Sequence, residues 1–293
     1  MNTLFDPPLW FDNDGRPVAY SVFGSGPPIV LLHGYPQTRA MWARIAPDLA
    51  QRYTVIVPDL RGYGDSHKPA DMAQMSFRAM GSDVVRLIDH LGHDRAHIIG
   101  HDRGARVAHR LALDVPDRVA SLTVMDIVPT HHLLSDLTFQ AAAAYYHWFF
   151  LAQPHPFPET MIGHDPDAYF ERCLLGFGKA SLADFEPDQL AAYRAAWRDP
   201  AMIRASTDDY RAAIALDYAM DAHDLGRKVT CPALVLYGRD GAMAQLMDVP
   251  ATWTPRLADM QAQAITGGHF FPDQSPKETI AALNAFLDAQ AAV

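Results

Sequence analysis

Cysteine is nearly missing: the 293 residues hold two, Cys173 and Cys231, far apart in the chain. That excludes a disulfide framework and any cysteine-based metal or redox motif, and it suits a reducing compartment such as the cytoplasm. Basic residues are also short, 24 Lys and Arg against 34 Asp and Glu, leaving a formal net charge of −10. Without clustered cations the chain has little with which to hold a nucleic acid or an anionic membrane. No apolar run reaches the ~20 residues of a membrane-spanning helix. The most apolar segment, Ala141–Leu151, contains His147 and stops at Gln153 and Pro154, so a buried or cleft-lining helix is expected there. The segment Met1–Gly15 carries Pro, Asp and Asn where an export signal needs a basic start and an apolar core. Internal repeats and low-complexity tracts are also missing.

What is present is an ordinary globular composition, 49% hydrophobic and 20% charged, long enough for one large domain with an insertion. Strand-like segments at Pro28–Leu32, Thr54–Val57, Ala96–Ile99, Ser121–Met125, Ala233–Tyr237 and Gln261–Ile265 are rich in β-branched and apolar residues. Helical patterns lie between them: Ser76–Leu91 spaces Phe77, Met80, Val84, Leu87, Ile88 and Leu91 along one face, Ala105–Leu113 follows a glycine turn, and Ser275–Ala289 opens on a capping pattern. The alternation predicts an α/β fold, a mostly parallel twisted sheet with helices on both faces. It breaks once: from about His131 to Met220 only proline-interrupted helical patches occur, and strand-like sequence resumes at Val229. We therefore expect a core formed by residues 1–130 and 221–293, with a helical cap over 131–220. Functional side chains in such sheets gather beyond the carboxyl ends of the strands.

The sharpest motif stands at such an end. Gly100-His101-Asp102-Arg103-Gly104 follows a strand and opens a helix, the form of a nucleophile elbow with Asp where Ser is usual. An Asp here also serves as an ordinary helix N-cap. Upstream, Leu31-Leu32-His33-Gly34-Tyr35-Pro36 follows another strand, where the backbone N–H groups of Tyr35 and Arg103 would together form an oxyanion hole. Asp59–Ser66 is a glycine-rich turn, weak evidence alone. Gly267-Gly268-His269 follows the last strand and offers a general base. Two strand-end acids, Asp126 and Asp240, compete to orient that histidine. An acidic surface repels small anions at long range, so an enzyme acting on an acid needs its cations at the site itself. Arg103 and Arg106 meet that need, three apart at a helix start and so on one face, two guanidinium forks suited to a carboxylate.

Taken together, these motifs resemble the α/β-hydrolase fold over nearly the whole chain. Gly100–Val107, Met125–Thr130, Tyr146–Pro154 and Asp208–Ala212 are similar in particular to haloacetate (fluoroacetate) dehalogenases. The resemblance implies hydrolysis of a haloacid to glycolate and halide through an aspartyl ester. It puts Asp102 in the place of the nucleophile, His269 in that of the base and Asp126, rather than Asp240, in that of its partner. It puts Arg103 and Arg106 on the substrate carboxylate, and His147, Trp148 and Tyr210 on the departing halide. The sequence departs from the pattern at Phe177, where a bulkier cap aromatic is usual, at Tyr35, where Phe is common, and at Asp240, an extra acid.

No metal or organic cofactor is implied, and the expected partner is a small haloacid; a homodimer is compatible with the chain. The nearest rival is an epoxide hydrolase, which shares the Asp, the His and the lid and would use Tyr210 with Tyr145 or Tyr146 on the ring oxygen. A neutral epoxide, like a haloalkane, gives the arginine pair nothing to hold. A non-catalytic ligand-binding protein would usually lack a triad member, and a serine esterase lacks this elbow.

Overall fold

The structure is a computed structural model that describes residues 3–176 and 180–291, so Phe177 lies outside the described residues. Its strands are β1 (Leu9–Asp12), β2 (Pro17–Phe23), β3 (Pro28–Leu32), β4 (Thr54–Pro58), β5 (Ala96–His101), β6 (Val119–Met125), β7 (Ala233–Gly238) and β8 (Met260–Ile265). They form one sheet in the order β1-β2-β4-β3-β5-β6-β7-β8. From β4 to β8 all neighbours are parallel, while β1 and β2 add an antiparallel edge. That edge is not foreseen from the sequence because its strands are short or mixed: Leu9–Asp12 is mostly exposed and lacks a buried run. The central strands carry fully buried Ile, Val and Leu, as a sheet covered on both faces requires.

The expected helices form as α1 (Phe77–His90), α2 (Arg103–Asp114) and, at the end of the chain, Pro276–Ala291. Ser76 caps α1 by accepting the Ala79 N–H. Both α1 and α2 turn an apolar face to the sheet and to each other, so close that a Cβ on Gly81 of α1 would touch Leu111 of α2.

Between β6 and β7 the described chain is helical. It includes α3 (Phe139–Ala144), α4 (Tyr146–Leu151), α5 (Pro187–Trp197) and α6 (Pro200–Ala212). Two details differ from expectation. The apolar segment around Ala141–Leu151 is two short helices, with Phe139, Tyr146 and Phe149 exposed on them, because only the inner face meets the core. At the return edge, α6 continues through a π-helical turn, Ala213–Asp217, into Tyr218–His223, so helix persists to His223, beyond the expected 220. Val229 makes only an isolated bridge to Leu257; the pattern there is too short to form a strand.

Candidate active site

Strand order reverses between β3 and β5, whose outer neighbours are β4 and β6, and this switch point is where an α/β sheet opens a crevice. β5 ends at His101 and α2 begins at Arg103, so the chain turns within one residue. Asp102 has φ +46° and ψ −115°, a strained conformation of the kind kept at functional sites. Glycine is required on either side, since a Cβ on Gly100 would overlap the Gly104 carbonyl and one on Gly104 the carbonyl of Leu32. The Asp102 side chain does not cap α2. Its Oδ2 instead accepts the Tyr35 N–H at 3.0 Å. His33 braces that loop: its Nδ1–H donates to Gly34 O at 3.0 Å and its Nε2 accepts the Leu60 N–H at 2.9 Å. The turn at Asp59–Ser66 is thus tied to the loop that bears Tyr35. The other expected oxyanion donor, Arg103 N–H, belongs to the first residue of α2, where helix amides have no acceptor of their own.

Beyond β6, Asp126 also has a left-handed φ of +51°. Its Oδ1 accepts the Gly238 N–H at 2.8 Å, and its Oδ2 lies 2.7 Å from His269 Nδ1. Asp240 is engaged elsewhere, accepting the Gly267 N–H at 3.3 Å. His101 steadies the histidine loop by donating Nε2–H to His269 O at 2.8 Å; burial pushes the His101 pKa down to about 4, keeping it neutral. For His269, burial opposes the charged form, but the hydrogen bond and charge of Asp126 and the charge of Asp102 outweigh it, so its pKa lies above 6.5. Burial likewise disfavours ionised Asp102, yet the charges of His269, Arg103 and Arg106 hold it below the usual carboxylate range. An ionised carboxylate, one oxygen held by the Tyr35 amide, therefore lines the crevice.

The two arginines are placed together but differ in state. Arg103 is buried against Asp209: Nε donates to Oδ2 at 2.9 Å, Nη2 to the Asp209 carbonyl at 3.0 Å, and Nη2 also pairs with Oδ1. Its Nη1 has no hydrogen-bond partner. Arg106 has no carboxylate within ion-pair distance among the described residues. Its Nη1 donates to Val128 O at 3.1 Å and Thr130 Oγ1 at 3.0 Å, and its Nε is buried without a partner. Burial and the neighbouring charge of Arg103 push the Arg106 pKa down to about 10. A buried cation lacking an anion is costly, and this one lies near enough to the buried Asp102 carboxylate for its charge to act on it.

The helices between β6 and β7 roof these groups. Asp102, Ala144, Tyr145, His147, Tyr210, Ala242 and His269 line a cavity of about 30 Å³. Tyr210 stands edge-on to Tyr35, His147 and Trp148, with ring centroids 5.2, 5.7 and 5.3 Å away. The Trp148 ring also covers both guanidiniums, at 4.9 Å from Arg103 and 4.8 Å from Arg106. Burial pushes the His147 pKa down to about 3, so its imidazole is neutral.

Several functional neighbours escaped the sequence. Asp209, the partner of Arg103, also accepts the Tyr63 hydroxyl at 2.6 Å; its one signal was an acidic pair, Asp208-Asp209, on a helix beside an expected ligand. His101, Thr130 and Ala144 stood inside stretches that the sequence singled out but were given no role of their own, and nothing in the sequence marked Ala242. Among the described residues no group of three or more His, Cys, Asp or Glu is disposed around a metal position, and no helix is long and apolar enough to cross a membrane.

Residues 27–276 match the model of the alpha/beta hydrolase fold family, and the sheet, elbow and acid–histidine pair described above define the chain as an α/β hydrolase. A solved alpha/beta hydrolase from Nostoc sp. superposes with a TM-score of 0.94 at 44% identity, covering 96% of this chain and 97% of its own. Within that class the chain belongs to the haloacetate (fluoroacetate) dehalogenases: a fluoroacetate dehalogenase from Burkholderia sp. is 51% identical over 93% of this chain and 91% of its own. A soluble epoxide hydrolase from Corynebacterium sp. is more distant, 33% identical over 91% of this chain and 92% of its own.

Proposed function

We propose that this hydrolytic dehalogenase converts a small haloacetate, fluoroacetate or chloroacetate, to glycolate and halide through an ester on Asp102. The observation that carries the substrate class is Arg106, a buried guanidinium beside the nucleophile with no carboxylate of its own. A haloacetate carboxylate on Arg106, with the remaining Nη1 of Arg103, supplies the missing anion and holds the α-carbon against Asp102 in near-attack geometry. Neutral epoxides and haloalkanes leave the cation uncompensated, which is why they are the weaker readings.

Asp102 displaces the halide in line. The halide leaves toward His147, Trp148 and Tyr210, whose N–H and O–H donors strengthen their hold as charge moves onto it, an effect largest for fluoride. Water then attacks the ester carbonyl. His269, oriented by Asp126, takes the proton, and the Tyr35 and Arg103 amides hold the oxyanion until glycolate leaves. Esterification removes the negative charge of Asp102, one of the groups that raises the His269 pKa, so the charged imidazolium loses support and the ring is more readily neutral when water has to be deprotonated.

A fluoride electrode with fluoroacetate, and chloride release from chloroacetate as control, tests the reaction. A single turnover in heavy-oxygen water tests the route: the label enters the Asp102 carboxylate and the first glycolate is unlabelled. Label in that first glycolate would discard the ester.

A further inference from the structure

We propose that the same cleft also hydrates small epoxides that carry a carboxylate, glycidate being the simplest, with Asp102 opening the ring and the phenols of Tyr145 and Tyr210 serving its oxygen. This rests on the dehalogenase reading for the anchoring of the acid and goes beyond it in the reaction. Tyr145 is unused in halide release, yet it lines the cavity with Tyr210, Asp102 and His269. Its hydroxyl is directed at the Met243 thioether, 3.5 Å away, a weak acceptor that a better one displaces. Burial raises the pKa of this phenol above its ordinary value, so it keeps its proton until an alkoxide forms beside it in the cavity.

A halide leaves as a stable anion, but an epoxide oxygen leaves as an alkoxide and needs a proton. Hydrogen-bond donors alone suffice for the first; the second needs an acid weaker than water-exposed carboxyls and stronger than an alcohol, which a phenol is. Glycidate has only one more non-hydrogen atom than chloroacetate. With its carboxylate on Arg106, C2 takes the position of the haloacetate α-carbon and the ring oxygen that of the halide. Asp102 forms the C2–O ester while the C2–O ring bond breaks, and its electron pair stays on the oxygen attached to C3. That oxygen takes the phenolic proton. Water hydrolyses the ester, His269 accepts a proton from it, and that proton returns to the phenolate. The sum is glycidate plus water giving glycerate, with no other reactant.

The test incubates the intact protein with glycidate, propylene oxide and chloroacetate, following glycerate and propanediol by proton NMR and chloride by electrode. Glycerate formation with little or no propanediol is expected. Tyr145→Phe should lower glycidate turnover by about 10²-fold, and by at least ten-fold more than it lowers chloride release. Chloride release without glycerate above the uncatalysed rate overturns this inference and leaves the dehalogenase reading intact. Release of neither product overturns the dehalogenase reading itself. Equal loss of both activities in Tyr145→Phe overturns the role of the phenol, and equal turnover of propylene oxide overturns that of the anchored acid.

Discussion

The floor and the roof of the cleft are built on opposite plans. The floor consists of strand ends: Asp102 and Asp126 sit at tight, left-handed bends directly after β5 and β6, and Tyr35 and His269 follow β3 and β8. Each stands on the loop or bend directly after its strand, and contacts among these strand ends, such as Tyr35 N–H to Asp102 and Asp126 to the Gly238 N–H, hold them together. The roof is made of helix faces, and polar contacts between distant segments set its height: Trp197 Nε1 to Pro36 O at 2.6 Å, Gln37 Nε2 to the Tyr193 hydroxyl at 3.1 Å, and the Tyr63–Asp209–Arg103 cluster. The floor is set by strand ends of one sheet, whereas the roof is set by contacts that reach across the chain, and in the proposed reaction the reacting atoms belong to the first and the donors to the halide to the second.

The widest separation between the two should come from the floor itself. Asp102→Ala is expected to lower steady-state halide release by about 10⁴-fold, and His269→Ala to give one halide per site and then stall, with the ester visible by intact mass. Sustained turnover in the His269 variant would remove that residue from the base role. Next come the two arginines. Arg106→Leu should cost about 10²-fold in kcat/KM, mostly through KM, and less stability than Arg103→Leu, since it frees only the Val128 carbonyl and the Thr130 hydroxyl. Arg103→Leu strands Asp209 inside the protein and should cost about 3–5 kcal/mol of stability in denaturant titration. If the two variants lose affinity and stability in the same proportion, the distinction between an anchoring and a structural arginine is wrong.

A smaller effect concerns pH. The base must be neutral, so activity should rise with pH, and in the free enzyme His269 titrates above 6.5. Because the ester lacks the Asp102 charge, the acid limb of kcat, when ester hydrolysis limits, should fall at lower pH than the His269 titration followed by NMR. Coincident values would show that Asp102 does not influence its neighbour. The smallest effect is Tyr63→Phe, which removes one roof contact to a charged acceptor and should cost about 1.5–3 kcal/mol, read from the urea midpoint.

The same contrast explains what the sequence disclosed. The parallel strands, α1, α2 and the elbow follow from short-range pattern, so Asp102, His269 and the Tyr35 loop were legible residue by residue. Choosing Asp126 over Asp240 needed resemblance, because both follow strands and only three-dimensional distance separates them. That Arg103 is already paired was not legible, since Asp209 lies 106 residues away on a helix whose approach no local pattern fixes. The antiparallel edge was missed because β1 is mostly exposed and β2, although Val18–Ser21 are buried, mixes Ala, Tyr and Ser into its run and lacks a strong apolar signature.

Arg106 binds Val128 O and Thr130 Oγ1, where the chain leaves the sheet for the roof. One helical turn further along α2, Arg110 pairs with Asp224 at 2.7 Å, where the chain comes back. Both crossings are thus fastened to the helix that starts at the nucleophile. A single rigid element bolts down both places where the chain leaves and rejoins the sheet, and the bend that carries Asp102 shares its anchorage with the layer above it.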